Sequence, residues 1–519
     1  MGPESSVPWA RPPSEGGGSG ALTLGATEAP ELRCHPGAGR RRPPAAAGSE
    51  PRSWDVVRMG MMPITDAVFL VPEGREQPMH VGSLQLFDLP EHAGRDWVPQ
   101  LYERMLAATE IRPLFRRRPV RSLRSLGSWS WAVDAEVDLE HHVRHSALPR
   151  PGRVRELLAL VSRLHGTLLD RQRPLWEMHL IEGLEGDRFA LYTKIHHSLL
   201  DGVAAIGLLR SVLSTDPAAE VDPPWVPRRD ERTTSGAAPN LGNLADLPLE
   251  ALRVLGELAG LAPRVLQALA DQARQGTPAA PSTILNVAIT GSRRYAAQSW
   301  PLERAKRVAR ASGATVNDVV LAMCSAALRA YLSDLGALPE APLVAMAPVS
   351  LRPKGAAEPS GNAVGAILAN LATDLADPGE RFDAIQASMA LGKQSLAGLT
   401  PLQATALSTV WLAPLALGTL RPLTGLAPQA FNLIISNVPG PTEALYLNGA
   451  RLRGLYPLSI PLHGQALNIT VTSYNGSLDF GLTGDRRALP HLQRLLGHLD
   501  VGLRELEQVT GCRPQRRGR

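Results

Sequence analysis

A chain of 519 residues is too long for one ordinary hydrophobic core, and its 44% hydrophobic and 20% charged content is that of a soluble globular protein, so two domains are expected. A net charge of +5 diluted over this length, with no basic stripe interleaved with aromatic residues, argues against a nucleic-acid binder. Cys34, Cys324 and Cys512 are scattered and odd in number, with no CxxC pair; this excludes a disulfide framework or zinc knuckle and fits a reducing, cytoplasmic compartment.

Residues 1–58 are rich in Gly, Pro, Ala, Ser and Arg and carry no apolar period, so they read as a disordered extension. Met59, Met61 and Met62 just beyond it leave room for a later start of translation. No basic segment leads into an apolar one, so no signal peptide is expected.

From 59 to 215 the pattern is that of a mixed α/β lobe. Met79–Leu89 alternates like a strand, and Trp97–Glu110 has helical spacing. Val154–Leu169 is an amphipathic helix with Leu157, Leu158, Val161, Leu164 and Leu168 on one face. "WEMHLIEGL" and "RFALYTKI" read as two strands joined by a turn at Glu185–Asp187, and a helix is expected over Val203–Leu213. Residues 216–288 read as a linker and bridging helix: a Pro-, Arg- and Asp-rich run, then a helical stretch over Leu247–Ala273 that Pro263 should kink.

A second α/β lobe is expected over 289–510, ahead of a basic tail at 511–519. It opens with a helix at Leu302–Ala311 and continues into "ATVNDVVLAMCSAALRAYL", a helix with an Asx-type start, and a strand at "PLVAMAPVSL". Near its end, two alternating runs flank Asn475-Gly476, a strong hairpin signal. The uncharged stretch Gln394–Leu420 is long enough to raise the question of a membrane span. Pro401 and Pro414 break it, however, and Thr, Ser and Gln dilute it, so a buried or membrane-surface helix pair is expected instead.

The chemistry concentrates in "KIHHSLLDG", where a strand runs into a helix. Neighbouring strand residues point to opposite faces, so one of His196 and His197 should face a channel while the other packs inward. Imidazole accepts and returns a proton near neutrality. Asp201 can cap the following helix or hold an arginine such as Arg352, and Gly202 permits the tight turn. Taken alone, the pair is also compatible with a purely structural role. Two adjacent strand histidines are poorly placed to chelate one ion, so no metal is expected there. The tract "LEHHVRH", with His141, His142 and His145, reads as a solvated face rather than a metal site. No GxSxG, Cys–His, HExxH, Walker or GxGxxG pattern occurs, which argues against a serine acyl-enzyme, a zinc hydrolase, nucleotide hydrolysis and hydride transfer.

His196-His197-Ser198-Leu199-Leu200-Asp201-Gly202 matches the HHxxxDG motif of the CoA-dependent acyltransferase superfamily. "RPLWEMHLIEGL", "TVNDVVLA" and "NLIISNVPGP" follow in the order of one branch, so the chain resembles the bacterial wax ester synthase/acyl-CoA:diacylglycerol acyltransferase family from about Met62 to about Leu506. The resemblance implies two chloramphenicol-acetyltransferase-like α/β lobes with mixed sheets, joined by a helical linker, with a channel between them. It implies transfer of a long fatty acyl group from acyl-CoA, the co-substrate, to diacylglycerol or a fatty alcohol, with His197 as general base and no metal or other cofactor. It further implies that Asn317 lines the site from the second lobe and that Trp176, in the PLW element, shapes an acyl-binding wall. Asn437, Pro439 and Gly440 are expected to form a tight loop at the lobe interface. Ser198 stands where a small apolar residue is more usual. Because the acceptor is lipid-borne, a peripheral association with a membrane or lipid-droplet surface is expected.

Overall fold

The structure, a computed structural model, describes residues 58–62, 64–121, 129–200, 202–227, 280–350, 364–396 and 429–512. The expected N-terminal extension, the Leu247–Ala273 helix, Asp201, Arg352 and most of Gln394–Leu420 lie outside the described residues.

The first half runs β1 (Arg58–Met61), α1 (Ile64–Ala67), β2 (His80–Asp88), α2 (Trp97–Ala107), β3 (Arg117–Arg121), β4 (Trp129–Val133), α3 (Leu139–His142), β5 (Val143–Ala147), α4 (Val154–His165), β6 (Trp176–Leu184), β7 (Arg188–His196) and α5 (Gly202–Ser211). The second runs β8 (Arg293–Pro301), α6 (Leu302–Ser312), α7 (Val316–Asp334), β9 (Val344–Ser350), β10 (Val364–Asn370), α8 (Pro378–Leu396), β11 (Leu433–Pro439), β12 (Tyr446–Leu447), β13 (Ala450–Leu458), β14 (Leu467–Tyr474), β15 (Ser477–Asp485) and α9 (Arg494–Val509). Two six-stranded mixed sheets carry the fold, in the orders β12-β13-β2-β7-β6-β5 and β10-β9-β11-β14-β15-β8; a three-stranded sheet, β1-β4-β3, stands beside the first.

Local sequence explains most elements. The β6–β7 hairpin closes where Gly186 and Asp187 take positive φ, a conformation glycine adopts freely and aspartate tolerates. Asn475 and Gly476 likewise both take positive φ, as a two-residue turn between β14 and β15 requires. On α4, Leu157, Leu158 and Val161 are buried against one face of the first sheet, while Arg155 and Arg163 face outward. Thr315 starts α7: its hydroxyl accepts from the Asp318 N–H, and the Asp318 carboxylate accepts from the Thr315 N–H. The cap is therefore this box rather than Asn317.

The core of the second half gathers around α7, which is buried along most of its length. Together with α6 it has the length and composition of a membrane span, but the pair bends by 104°. Among the described residues no single helix is long and apolar enough to cross a bilayer.

The two halves exchange chain. β13, which follows β11 in sequence, leaves the second half and pairs antiparallel with β2 in the first sheet. A division at residue 289 does not capture this exchange. The graft brings the sheets close: a side chain at Gly481 on β15 would overlap the carbonyl of Pro457 on β13, and the buried Asp479 carboxylate accepts the Leu455 N–H at 2.8 Å.

Candidate active site

β7 ends at His196, and the chain leaves it with the His197 N–H donating to the Met79 carbonyl at 2.9 Å. The alternation expected of a strand is what the two histidines show. His196 is fully buried: its Nδ1 accepts the Ser198 N–H at 3.1 Å and lies 2.7 Å from the Ser198 hydroxyl. Nδ1 is thereby the acceptor nitrogen, and the ring proton resides on Nε2, 3.3 Å from a Glu73 carboxylate oxygen. That contact sets the Nε2–H dipole against the carboxylate without the alignment of a hydrogen bond. His197 turns the other way, into a cavity, with its ring stacked on Phe69 at 4.1 Å between centroids and 12° between planes.

Glu73 organises the buried side. It accepts from Arg171 Nε at 2.8 Å and from the Met79 N–H at 3.2 Å, and Arg171 also donates to the Leu70 carbonyl at 2.8 Å. Burial pushes the Glu73 carboxyl up, but His196, Arg171 and the Met79 N–H outweigh it and hold the group below its usual range. The segment carrying Phe69 is thus pinned beside the end of β7, from which His197 follows. Neither Glu73, Arg171 nor Phe69 stood out in the sequence. A lone acid in a turn and a lone arginine give no pattern until the fold brings them together.

A second buried cluster lies on the same strands. The fully buried Lys194 donates to the carbonyls of Leu164 and Thr167 and meets Glu177 at 3.0 Å, and Glu177 is 3.3 Å from His179. Burial pushes the Glu177 carboxyl up, yet His179 and Lys194 lower it to about 2.

The cavity measures about 1060 Å³, at the top of the roughly 300–1,000 Å³ usual for small-molecule sites. One wall is the first sheet, with Val81, Met178 and Ile195. The opposite wall is the second sheet, where Asn468, Thr470 and Thr472 share one face of β14 as an i, i+2, i+4 set. Thr470 donates to Asn468 at 3.0 Å and lies 2.8 Å from the Ser459 hydroxyl. The polar strip on β14 thus faces a first-sheet wall that is apolar next to His197 and carries Ser83, Thr193 and Gln85 farther along, and His197 opens between the two.

Trp176 also lines the cavity. It is buried, donates from Nε1 to the Phe115 carbonyl at 2.9 Å, and stacks between His142 and Trp225. This corrects the reading of "LEHHVRH" as a solvated face: His142 is buried, with Nδ1 2.7 Å from the Trp176 carbonyl. Burial lowers its pKa to about 4, so it is neutral at pH 7. Asn317 is half-buried in the first turn of α7 and is not among the residues that line the cavity. Asn437 and Pro439 do line it, but from within strand β11 rather than from a loop. Gly440, just after the strand, lets the chain pass within a side chain's width of the Ser473 carbonyl. Gly202 begins α5. Among the described residues no three His, Cys, Asp or Glu side chains converge as a metal-ligand set.

Comparison with known proteins agrees with this architecture. The family description "Wax ester synthase/diacylglycerol acyltransferase catalytic domain" matches residues 61–320, and "WS/DGAT C-terminal domain" matches residues 360–507. A Mycobacterium tuberculosis protein that carries the name diacylglycerol O-acyltransferase is 52% identical over 456 residues, which cover 87% of this chain and 100% of the relative. The structure of a wax ester synthase/diacylglycerol acyltransferase from Marinobacter aquaeolei VT8 superposes with a TM-score of 0.71 at 45% identity, covering 87% of this chain and 100% of the other. The starter condensation domain of rhizomide synthetase shares the fold alone, at 14% identity and a TM-score of 0.52 over 87% of this chain and 94% of its own. The chain belongs to the wax ester synthase/diacylglycerol acyltransferase family and is an acyltransferase of that family.

Proposed function

We propose that the protein transfers a long-chain fatty acyl group from acyl-CoA to diacylglycerol, forming triacylglycerol, with His197 as general base. The observation that carries this reading is the HHxxxDG imidazole facing a large, mostly apolar cavity between two sheets. His197 takes the proton of the acceptor hydroxyl as its oxygen attacks the thioester carbonyl. The C–O bond forms, the C–S bond of the tetrahedral intermediate breaks, and the proton passes to the departing CoA thiolate. Asp201 and Gly202 complete the motif and are assigned to holding its loop. Trp176 is assigned to the acyl-binding wall.

Transfer is direct, without an acyl-enzyme. In support, Cys324 is buried within α7 with its thiol pushed up by burial, a poor nucleophile. The acceptor arrives from a lipid surface, to which the protein binds peripherally. In support, Val68 and Val71 are exposed apolar side chains on the rim of the cavity. A long-chain alcohol, giving a wax ester, is the second reading, favoured by the apolar wall and by the name of the Marinobacter relative.

The test is an acceptor screen with palmitoyl-CoA and purified protein, reading both thiol release and lipid product. Thiol release that depends on diacylglycerol, with triacylglycerol as product, is expected. Release with fatty alcohol alone would move the assignment to wax ester synthesis, and no acceptor-dependent release would overturn the transferase reading.

A further inference from the structure

Strand register lays the cavity floor in rows. Nearest His197, Val81 lies beside Ile195; next, Pro457, Ser83 and Thr193 lie abreast; farthest, Leu455, Gln85 and Leu191 do so. All of these line the cavity. Leu84 and Leu86, the neighbours of Gln85, point to the opposite side of the sheet, beneath α4. The far row opens into an apolar arm walled by Leu101, Met105 and Phe115. Within that arm Gln85 is 3% exposed and lines the cavity, so its carboxamide is the polar group a bound chain meets there. One row nearer, the buried Ser83 hydroxyl has no partner among the described residues. Hydrocarbon in this arm would offer neither group a partner.

Row spacing sets where along a bound chain these groups act. Strand residues advance about 3.3 Å each, which puts the Ser83 row about 13 Å and the Gln85 row about 20 Å from His197. An extended carbon chain advances roughly 1.25 Å per carbon, from bonds of about 1.5 Å at near-tetrahedral angles, so these distances correspond to about ten and about sixteen carbons. A carboxamide both donates and accepts, and so satisfies a hydroxyl in either sense.

We propose that Ser83 and Gln85 form a polar station that recognises a long chain bearing a hydroxyl in its distal half. The placement along the chain rests on the acyl-transfer reading; the station itself does not. Gln85 is therefore a specificity-determining residue, and hydroxylated acyl chains are a preferred substrate class of this enzyme.

The test displaces a fluorescent fatty-acid probe with stearate, 2-hydroxystearate and 12-hydroxystearate, for wild type, the volume-conserving Gln85→Met and, as a second variant, Ser83→Ala. The wild type is expected to bind 12-hydroxystearate about tenfold tighter than stearate and to show no such gain for 2-hydroxystearate, a factor in keeping with one satisfied buried hydrogen bond. Gln85→Met and Ser83→Ala should each reduce the preference, since carbon 12 lies between their two rows. The same order is expected in kcat/KM for stearoyl-CoA against 12-hydroxystearoyl-CoA. Wild-type protein that binds stearate at least as tightly, or a preference undiminished in Gln85→Met, overturns the proposal. If the displacement preference depends on Gln85 but neither thioester is turned over, the acyl-transfer reading fails and the station stands.

Discussion

Two adjacent imidazoles here do different work because a strand turns them apart. His196 is a buried strut whose Nδ1 is taken by Ser198 and whose Nε2 faces Glu73; His197 is the ring presented to the cavity. Replacing Glu73 with Gln removes the charge that His196 and Arg171 share. The expected outcome is a roughly tenfold fall in kcat with KM nearly unchanged, because the Phe69 segment that stacks on His197 loses its anchor. The pH dependence has a definite sign. Since the folded Glu73 carboxyl lies below its ordinary value, its stabilising effect is complete above the usual carboxylate range and is lost as pH falls through the folded value. Thermal melts below pH 5 should therefore decline less steeply for Glu73→Gln than for wild type. Alternation made the opposed histidines readable from sequence. The Glu73–Arg171 clamp was not, since both residues lie far from the motif in the chain and no local period connects them.

Strands, helices and turns followed closely from local pattern. β6 occupies the residues its apolar run predicts, β7 runs one residue beyond its own, and the Asn475-Gly476 turn falls where the two positive-φ residues stand. What local pattern does not carry is the choice of partner. β13 reads like any other strand, yet it pairs with β2 across the molecule, and only long-range packing selects that pairing. The graft is fastened by Asp479, buried between the sheets, which accepts from Ser299 and from the Leu455 N–H. Burial pushes its carboxyl up to about 6, with both bonds opposing. Here the sign is reversed: the raised value penalises the charged form, so stability is lost as pH rises from the unfolded value of 3.8 through about 6. Asp479→Asn keeps an acceptor for Leu455 and a donor for Ser299. It should raise the unfolding free energy at pH 7.5 by up to on the order of 3 kcal/mol, read as a higher melting temperature, and have no such effect at pH 4.

At the scale of the whole molecule, the two six-stranded sheets enclose a large, mostly apolar cavity with polar groups set along it, an arrangement suited to a substrate that is mostly hydrocarbon with a polar reacting end. The proposed entry from a lipid surface would give the exposed Val68 and Val71 a role at the rim. Val68→Asp combined with Val71→Asp should lower sedimentation with diacylglycerol-containing vesicles and cut turnover of vesicle-borne acceptor about tenfold or more, while leaving turnover of a detergent-dispersed short-chain diacylglycerol within twofold. Equal losses on both acceptors would point instead to damage at the cavity itself.

The most direct test of the account is the rate of CoA release from palmitoyl-CoA, with diacylglycerol present, for wild type against His197→Ala at matched folding by circular dichroism. Loss of a general base predicts a fall of about 10²–10⁴ in kcat with an unchanged melting transition. A His197→Ala protein that melts normally and turns over within a few-fold of wild type would contradict it.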